Sequence, residues 1–220
     1  MDKAPELHVV AGPNGIGKTT VFTEVIPHGL DYLNADLIAK TIKQRAGGLN
    51  AQDIANGEAS KIFFERVARK ESFAIETNLY DIDTYRSFQG LQRLGYKIYI
   101  YFLATDDVNL CINRVKLRVS QGGHNVNPDI IRQRYTTGLA LLKHYKNFPD
   151  ALLLLDNTEG LLVTQLELHK GLLKYKSHLS KPWTEAIFQH EEDADSTKTA
   201  SQKQSIEEVR DLYKKGISKK

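Results

Sequence analysis

The stretch Leu7-His-Val-Val-Ala-Gly-Pro-Asn-Gly-Ile-Gly-Lys-Thr-Thr20 decides how the rest of the chain is read. Its first five residues, Leu7 to Ala11, form a short apolar run that ends on a turn with glycine at 12, 15 and 17. Thr19 to Ile26 then has helical character until Pro27, which has no N–H to continue a helix, stops it. A strand, a glycine-rich loop and a helix in immediate succession form the opening unit of an α/β sheet.

The same alternation continues outward. From Asp53 to Lys70 the residues Ala55, Ala59, Ile62, Phe63 and Val67 recur every three or four positions, the spacing of one apolar helix face. Ser72 to Thr77 is strand-like. Asp83 to Leu94 is helical and closes at Gly95, and Tyr96 to Ala104, rich in aromatic and β-branched residues, is a strong strand. Val108, Cys111, Ile112, Val115 and Val119 share one face of a helix from Asp106, and Asn127-Pro128 opens another with a cap and a proline at its first position. Two helices joined through Gly122-Gly123 resemble a lid. Ala151 to Leu155 is uniformly apolar, as in a parallel strand covered on both faces. Leu161 to Leu179, interrupted by Gly171, fits a hairpin or a strand plus a short helix. After Phe188 the chain is too polar to pack a core, so 189–204 reads as a linker. Ser205 begins a capping box, and 205–220 reads as a C-terminal helix beyond a single domain over 1–188.

Thirty Lys and Arg against 27 Asp and Glu leave a net charge of +3, too small a surplus to argue for a nucleic-acid partner. No run reaches the roughly 20 apolar residues that span a bilayer, and no charged-then-apolar leader precedes the first strand. Cys111, the single cysteine, has no internal disulfide partner and falls on an apolar helix face. The expectation is a cytoplasmic protein with no membrane association.

The chemistry is written in the loop. Gly12, Pro13, Asn14, Gly15, Ile16, Gly17, Lys18 and Thr19 satisfy the Walker A spacing, between the strand and helix that give the motif its meaning. Backbone N–H groups and the helix N-terminus cradle the phosphates of ATP, Lys18 reaches the β- and γ-phosphates, and the Thr19 hydroxyl is the Mg²⁺ ligand. The expected fold is therefore α/β, a P-loop NTPase-type doubly wound, mainly parallel sheet with a helical lid. Asp36, in Asn34-Ala-Asp36, stands where the second strand ends and is the candidate base for an acceptor hydroxyl, or else the N-cap of a helix from Leu37. Glu76, at the end of another strand, is placed to bond acceptor hydroxyls or a metal-bound water, or is a solvated strand-end charge. Asp156, after the leucine run, resembles a Walker B aspartate but lies late in the chain, past the lid, and reads rather as a capping or turn residue with Asn157. Arg114 and Arg118 lie four residues apart on one helix face, and Arg132 and Arg134 follow in the next helix, a cluster that could meet the charge of a transferring phosphate. The aromatic run Tyr96, Tyr99, Tyr101 and Phe102 reads as ordinary sheet packing.

These residues together resemble the zeta-toxin family of P-loop small-molecule kinases over about residues 5 to 160. The resemblance rests on Gly12 to Thr20, Asn34-Ala-Asp36, Glu76-Thr-Asn78, Arg114 to Val126 and Ile131-Arg-Gln-Arg-Tyr135. It implies an ATP- and Mg²⁺-dependent kinase in which Thr20 completes the nucleotide loop, Lys18 is the loop lysine and Asp36 the base. It further implies that Glu76, with Thr77 and Asn78, binds substrate, and that Arg118 and Arg134 stabilise phosphate. Arg132 competes for the second arginine role and is also a substrate-binding candidate. Family members phosphorylate the 3′-hydroxyl of UDP-N-acetylglucosamine, and several are toxins held by a cognate antitoxin. Two alternatives stand beside that acceptor: a kinase for another metabolite, antibiotic or nucleotide, and a nucleotide-dependent binding module without transfer.

Overall fold

The computed structural model describes residues 3–35, 37–39, 41 and 51–188. The linker expected over 189–204 and the helix expected over 205–220 lie outside the described residues. The elements are β1 (Glu6–Ala11), α1 (Lys18–Val25), β2 (Asp31–Leu33), α2 (Ala51–Ala68), β3 (Phe73–Thr77), α3 (Ile82–Arg93), β4 (Lys97–Ala104), α4 (Val108–Ser120), α5 (Pro128–Tyr145), β5 (Ala151–Asp156), β6 (Val163–His169), β7 (Leu172–Lys176) and α6 (Pro182–Phe188).

The strands form one sheet in the order β2-β3-β1-β4-β5-β6-β7. Strands β1 to β5 pair in parallel, while β6 and β7 add antiparallel to the β5 edge. This is the doubly wound, mainly parallel sheet that the helix–strand alternation predicts. Because β1 lies between β3 and β4, its carboxyl end opens at the switch point where the chain order reverses, the place where such sheets bind ligands.

Side chains alternate across the sheet with the strand period of two and build two cores. Leu7, Val9, Phe73, Ile98, Ile100 and Phe102 face α3, α5 and α6 through Tyr85, Phe88, Leu91, Leu141, Leu142 and Trp183. Val10, Ala74 and Leu103 face α1 and α4 through Val21, Cys111, Ile112 and Val115. Burying a side chain of the size of Leu or Phe stabilises by about 1.5–3 kcal/mol, and these alternating positions are what hold the helices on both faces. Polar groups also sit inside this packing. Among the described residues the buried Tyr85 hydroxyl has no hydrogen-bond partner. His8 stacks on Tyr99 at 4.7 Å, with Nδ1 3.0 Å from the Tyr101 hydroxyl.

Helix ends follow the local chemistry. Asp81 caps α3 by accepting from Thr84 N at 2.8 Å, and Gly95 leaves it at φ 93°. Asn127 caps α5 ahead of Pro128 by accepting from Asp129 N at 2.8 Å. The segment from Leu161 resolves as the hairpin: Lys170 and Gly171 take φ of 49° and 77°, the two positive values of a tight primed turn, and α6 follows. No helix among the described residues is long and apolar enough to cross a membrane.

Candidate active site

The loop after β1 is seated against backbone. A Cβ on Gly12 would lie 2.2 Å from the Leu103 carbonyl oxygen, and one on Gly15 would lie 2.2 Å from that of Cys111, so a side chain at either position would force the loop off β4 or the start of α4. From the β5 side, Asn157 Nδ2 donates to Ile16 O at 2.7 Å. Arg114 spreads its guanidinium over three carbonyls, Ile16 O at 3.5 Å, Asn157 O at 2.9 Å and Thr158 O at 2.9 Å. Arg114 thus braces the loop rather than presenting its charge with the other lid arginines. Asp156 accepts from Thr158 N at 3.1 Å and Thr158 Oγ1 at 3.0 Å, the turn role expected of it.

Lys18 is buried, and its Nζ donates to Gly12 O at 2.8 Å, Pro13 O at 3.1 Å and Asn78 Oδ1 at 3.0 Å, with Glu76 Oε1 at 4.0 Å. The parallel register that sets Val10 beside Glu76 brings this carboxylate to the loop. Its Oε2 accepts from Thr19 Oγ1 at 2.8 Å, from Asn34 Nδ2 at 2.9 Å and from the Tyr32 hydroxyl. Burial first, and the Glu76 charge second, push the Tyr32 pKa well above the ordinary phenol value, so the hydroxyl stays a donor. Phe22 stacks on the Tyr32 ring at 3.5 Å. Asn34 Oδ1 accepts from Leu37 N at 3.2 Å, so Asn34 caps the helical turn that begins at Ala35. Asp36, the candidate base, lies outside the described residues. Thr77 Oγ1 accepts from Leu79 N at 3.1 Å and shapes the turn that follows β3. Thr20 is exposed on α1, and its backbone N–H donates to Gly17 O at 3.0 Å.

Among the lid arginines, Arg134 reaches the loop: Nη1 donates to Asn14 Oδ1 at 2.9 Å, and its guanidinium lies 4.9 Å from the centre of the Tyr80 ring. Arg118 Nη2 donates to His124 O at 3.0 Å, within the lid. Arg132 Nη2 donates to Asn109 Oδ1 at 3.2 Å, and its Nη1 lies 3.6 Å from Asp129. Tyr32, Tyr80 and Asn157 are site residues that sequence reasoning missed. Tyr80 lies two positions past the Glu76-Thr-Asn78 motif, a usable signal; Asn157 meets a loop carbonyl 141 residues away, for which spacing gives none.

The donor set suits a hard cation. The Thr19 hydroxyl and Glu76 carboxylate, both oxygens and 2.8 Å apart at the end of the loop, fit Mg²⁺, which favours a few protein oxygens beside phosphate and water.

No protein-family model matches the chain. An uncharacterized protein of Haemophilus influenzae is 25% identical over 124 residues, 56% of this chain and 88% of that protein. Among solved structures, the AvrRxo1-ORF1:-ORF2 complex with ATP contains a chain that superposes with a TM-score of 0.68 at 15% identity, covering 87% of this chain. This chain spans 66% of the length of that one. The PezAT chromosomal toxin–antitoxin system of Streptococcus pneumoniae gives a TM-score of 0.56 at 15% identity over 99% of this chain and 89% of the matched chain. The fold is therefore the one these chains share, a doubly wound, mainly parallel α/β sheet with a Walker A loop after its first strand.

Proposed function

We propose that the protein is an ATP-dependent phosphotransferase of zeta-toxin type, moving the γ-phosphoryl group to a hydroxyl of a small molecule, with a sugar nucleotide such as UDP-N-acetylglucosamine as its acceptor. The observation that carries this reading is the meeting of three elements on one Walker A loop: Lys18 from the loop itself, Glu76 bonded to Thr19 from β3, and Arg134 bonded to Asn14 from the lid. A phosphate-binding loop alone binds nucleotide; an acid and an arginine on either side of it are what phosphoryl transfer adds.

In this reading the loop N–H groups and Lys18 hold the β- and γ-phosphates, while Thr19 and Glu76 would hold Mg²⁺, which would neutralise charge on the phosphate oxygens. Asp36 takes the proton of the acceptor hydroxyl. The freed oxygen attacks the γ-phosphorus, the bond to the β-phosphate oxygen breaks, and ADP leaves. Support for Asp36 is positional: it stands three residues past Leu33, which pairs with Ile75, the neighbour of Glu76. Lys18 and Arg134 meet the charge that spreads over the transferring group, where fixed donors contribute most. Arg118 joins Arg134 from the lid as the other phosphate-stabilising arginine. Thr77, Asn78 and Arg132 join Glu76 on the acceptor side, although each is already engaged, with Leu79, Lys18 and Asn109 respectively. An antitoxin-like protein is the proposed partner, on the likeness to the PezAT toxin–antitoxin system.

The test incubates the protein with Mg²⁺-ATP and a panel of sugar nucleotides, nucleosides and hydroxylated metabolites, beside Lys18→Ala and Asp36→Asn, reading acceptor mass by mass spectrometry. An acceptor 80 Da heavier, by roughly the mass of one added phosphoryl group, in the wild type and in neither variant supports the reading. ATP binding with no acceptor gaining mass refutes it in favour of a binding module.

A further inference from the structure

The turn leaving β3 is built unusually. Leu79 is fully buried yet has φ 50°, a left-handed conformation that few non-glycine residues adopt. Thr77 Oγ1 holds its N–H from below. The outcome is that Asn78 turns to Lys18 while Tyr80 turns to Arg134. Helix α5 runs against the same turn: the ideal Cβ position of Gly138 lies 3.7 Å from Leu79 O and 3.8 Å from Asn78 O. Gly138 is four residues from Arg134 and so on the same helix face, which is why this arginine, and not its neighbour Arg132, reaches Tyr80.

We propose that Tyr80 is a positioning residue for Arg134, its ring face holding the guanidinium over the Walker A loop in the orientation that meets the terminal phosphate. Arginine loses much rotamer freedom when fixed, and a charge within about 6 Å of an aromatic centroid is attracted by the ring's negative face. Tyr80 therefore supplies before nucleotide arrives an ordering that binding would otherwise have to impose. The ring, not the hydroxyl, carries the effect. The inference rests on the reading of Arg134 as a phosphate ligand, and it predicts a role in nucleotide discrimination that nothing in the loop motif encodes.

The experiment measures Mg²⁺-ATP and Mg²⁺-ADP affinities by calorimetry for the full chain, Tyr80→Leu, Tyr80→Phe, Arg134→Ala and the Tyr80→Leu/Arg134→Ala double variant. The quantity read is the preference for ATP over ADP. Tyr80→Leu and Arg134→Ala should each cut that preference by about fivefold to tenfold, with ADP affinity held within about twofold. The double variant should fall no further than Arg134→Ala, because the ring acts through the arginine. Tyr80→Phe should match the wild type. An unchanged preference in Tyr80→Leu or in Arg134→Ala, losses that multiply in the double variant, or a parallel loss of ADP affinity in Tyr80→Leu would each overturn the proposal, the last by showing a merely structural residue. Failure of the kinase reading is seen separately, as a wild type that prefers ATP and phosphorylates no acceptor in the panel.

Discussion

Replacing Arg114 with methionine keeps most of the side-chain volume and removes the guanidinium that spans Ile16 O, Asn157 O and Thr158 O. Two of these bonds are 2.9 Å long, and the third, at 3.5 Å, contributes little. Hydrogen bonds to a charged group contribute about 1.5–3 kcal/mol each, and the low end applies here because the side chain is half-buried. The expected loss is therefore about 3 kcal/mol. For a domain of this size 1 kcal/mol corresponds to roughly 2–4 °C, so the nucleotide-free melting temperature should fall by about 6–12 °C. Lysine restores only part of it, since one ammonium cannot reproduce the planar fork. The assay is thermal unfolding followed by circular dichroism without nucleotide, beside ATP titration. A methionine variant that melts within about 2 °C of wild type while losing ATP affinity would refute the reasoning, because Arg114 would then be serving phosphate and not the loop.

Tyr85→Phe should raise stability by about 1 kcal/mol in urea unfolding, because it deletes a buried hydroxyl that has no partner among the described residues and keeps the ring. Gly15→Ala must move the loop, since its Cβ would fall 2.2 Å from Cys111 O at φ 81°; a loss on the order of 3 kcal/mol and more than about tenfold weaker ATP binding, read by melting and calorimetry, are expected. His8 titrates below its ordinary 6.5 because burial disfavours the imidazolium, with the Glu6 carboxylate opposing in part. The unfolded chain therefore takes up the proton first as pH falls below 6.5, and stability drops from there down to the folded-state value. Urea midpoints at about pH 7.5 and pH 5.5 should differ less in His8→Gln than in the wild type.

The fold was legible because its signals are local. Leu7 to Thr20 shows strand, loop and helix in order, and the uniform leucines before Asp156 mark a strand covered on both faces. The hairpin after Leu161 was ambiguous because Gly171 breaks an apolar pattern in the same way whether a turn or a helix start follows; only pairing with β5 decides it. The site was half legible. Lys18, Thr19, Glu76 and Arg134 sit in motifs, whereas the separate jobs of four arginines depend on which carbonyl, amide or ring each one meets. Arg114 and Arg118 share a helix face, yet Arg114 ends on the β5 side of the loop and Arg118 on its own lid turn. Spacing along a helix fixes direction to within a face, not the partner at the end of a long side chain.

Glycine at position 15 has a mechanical consequence for the lid. With nothing but its α-carbon between the nucleotide loop and the carbonyl of Cys111, the first turn of α4 rests on the loop as a beam rests on a bearing. A rotation that lowers the far end of α4 must turn about that bearing, because any approach at the near end meets backbone. Any travel of α4 would therefore be least at Arg114, which braces the loop, larger at Arg118, and greatest toward Gly122 and Gly123.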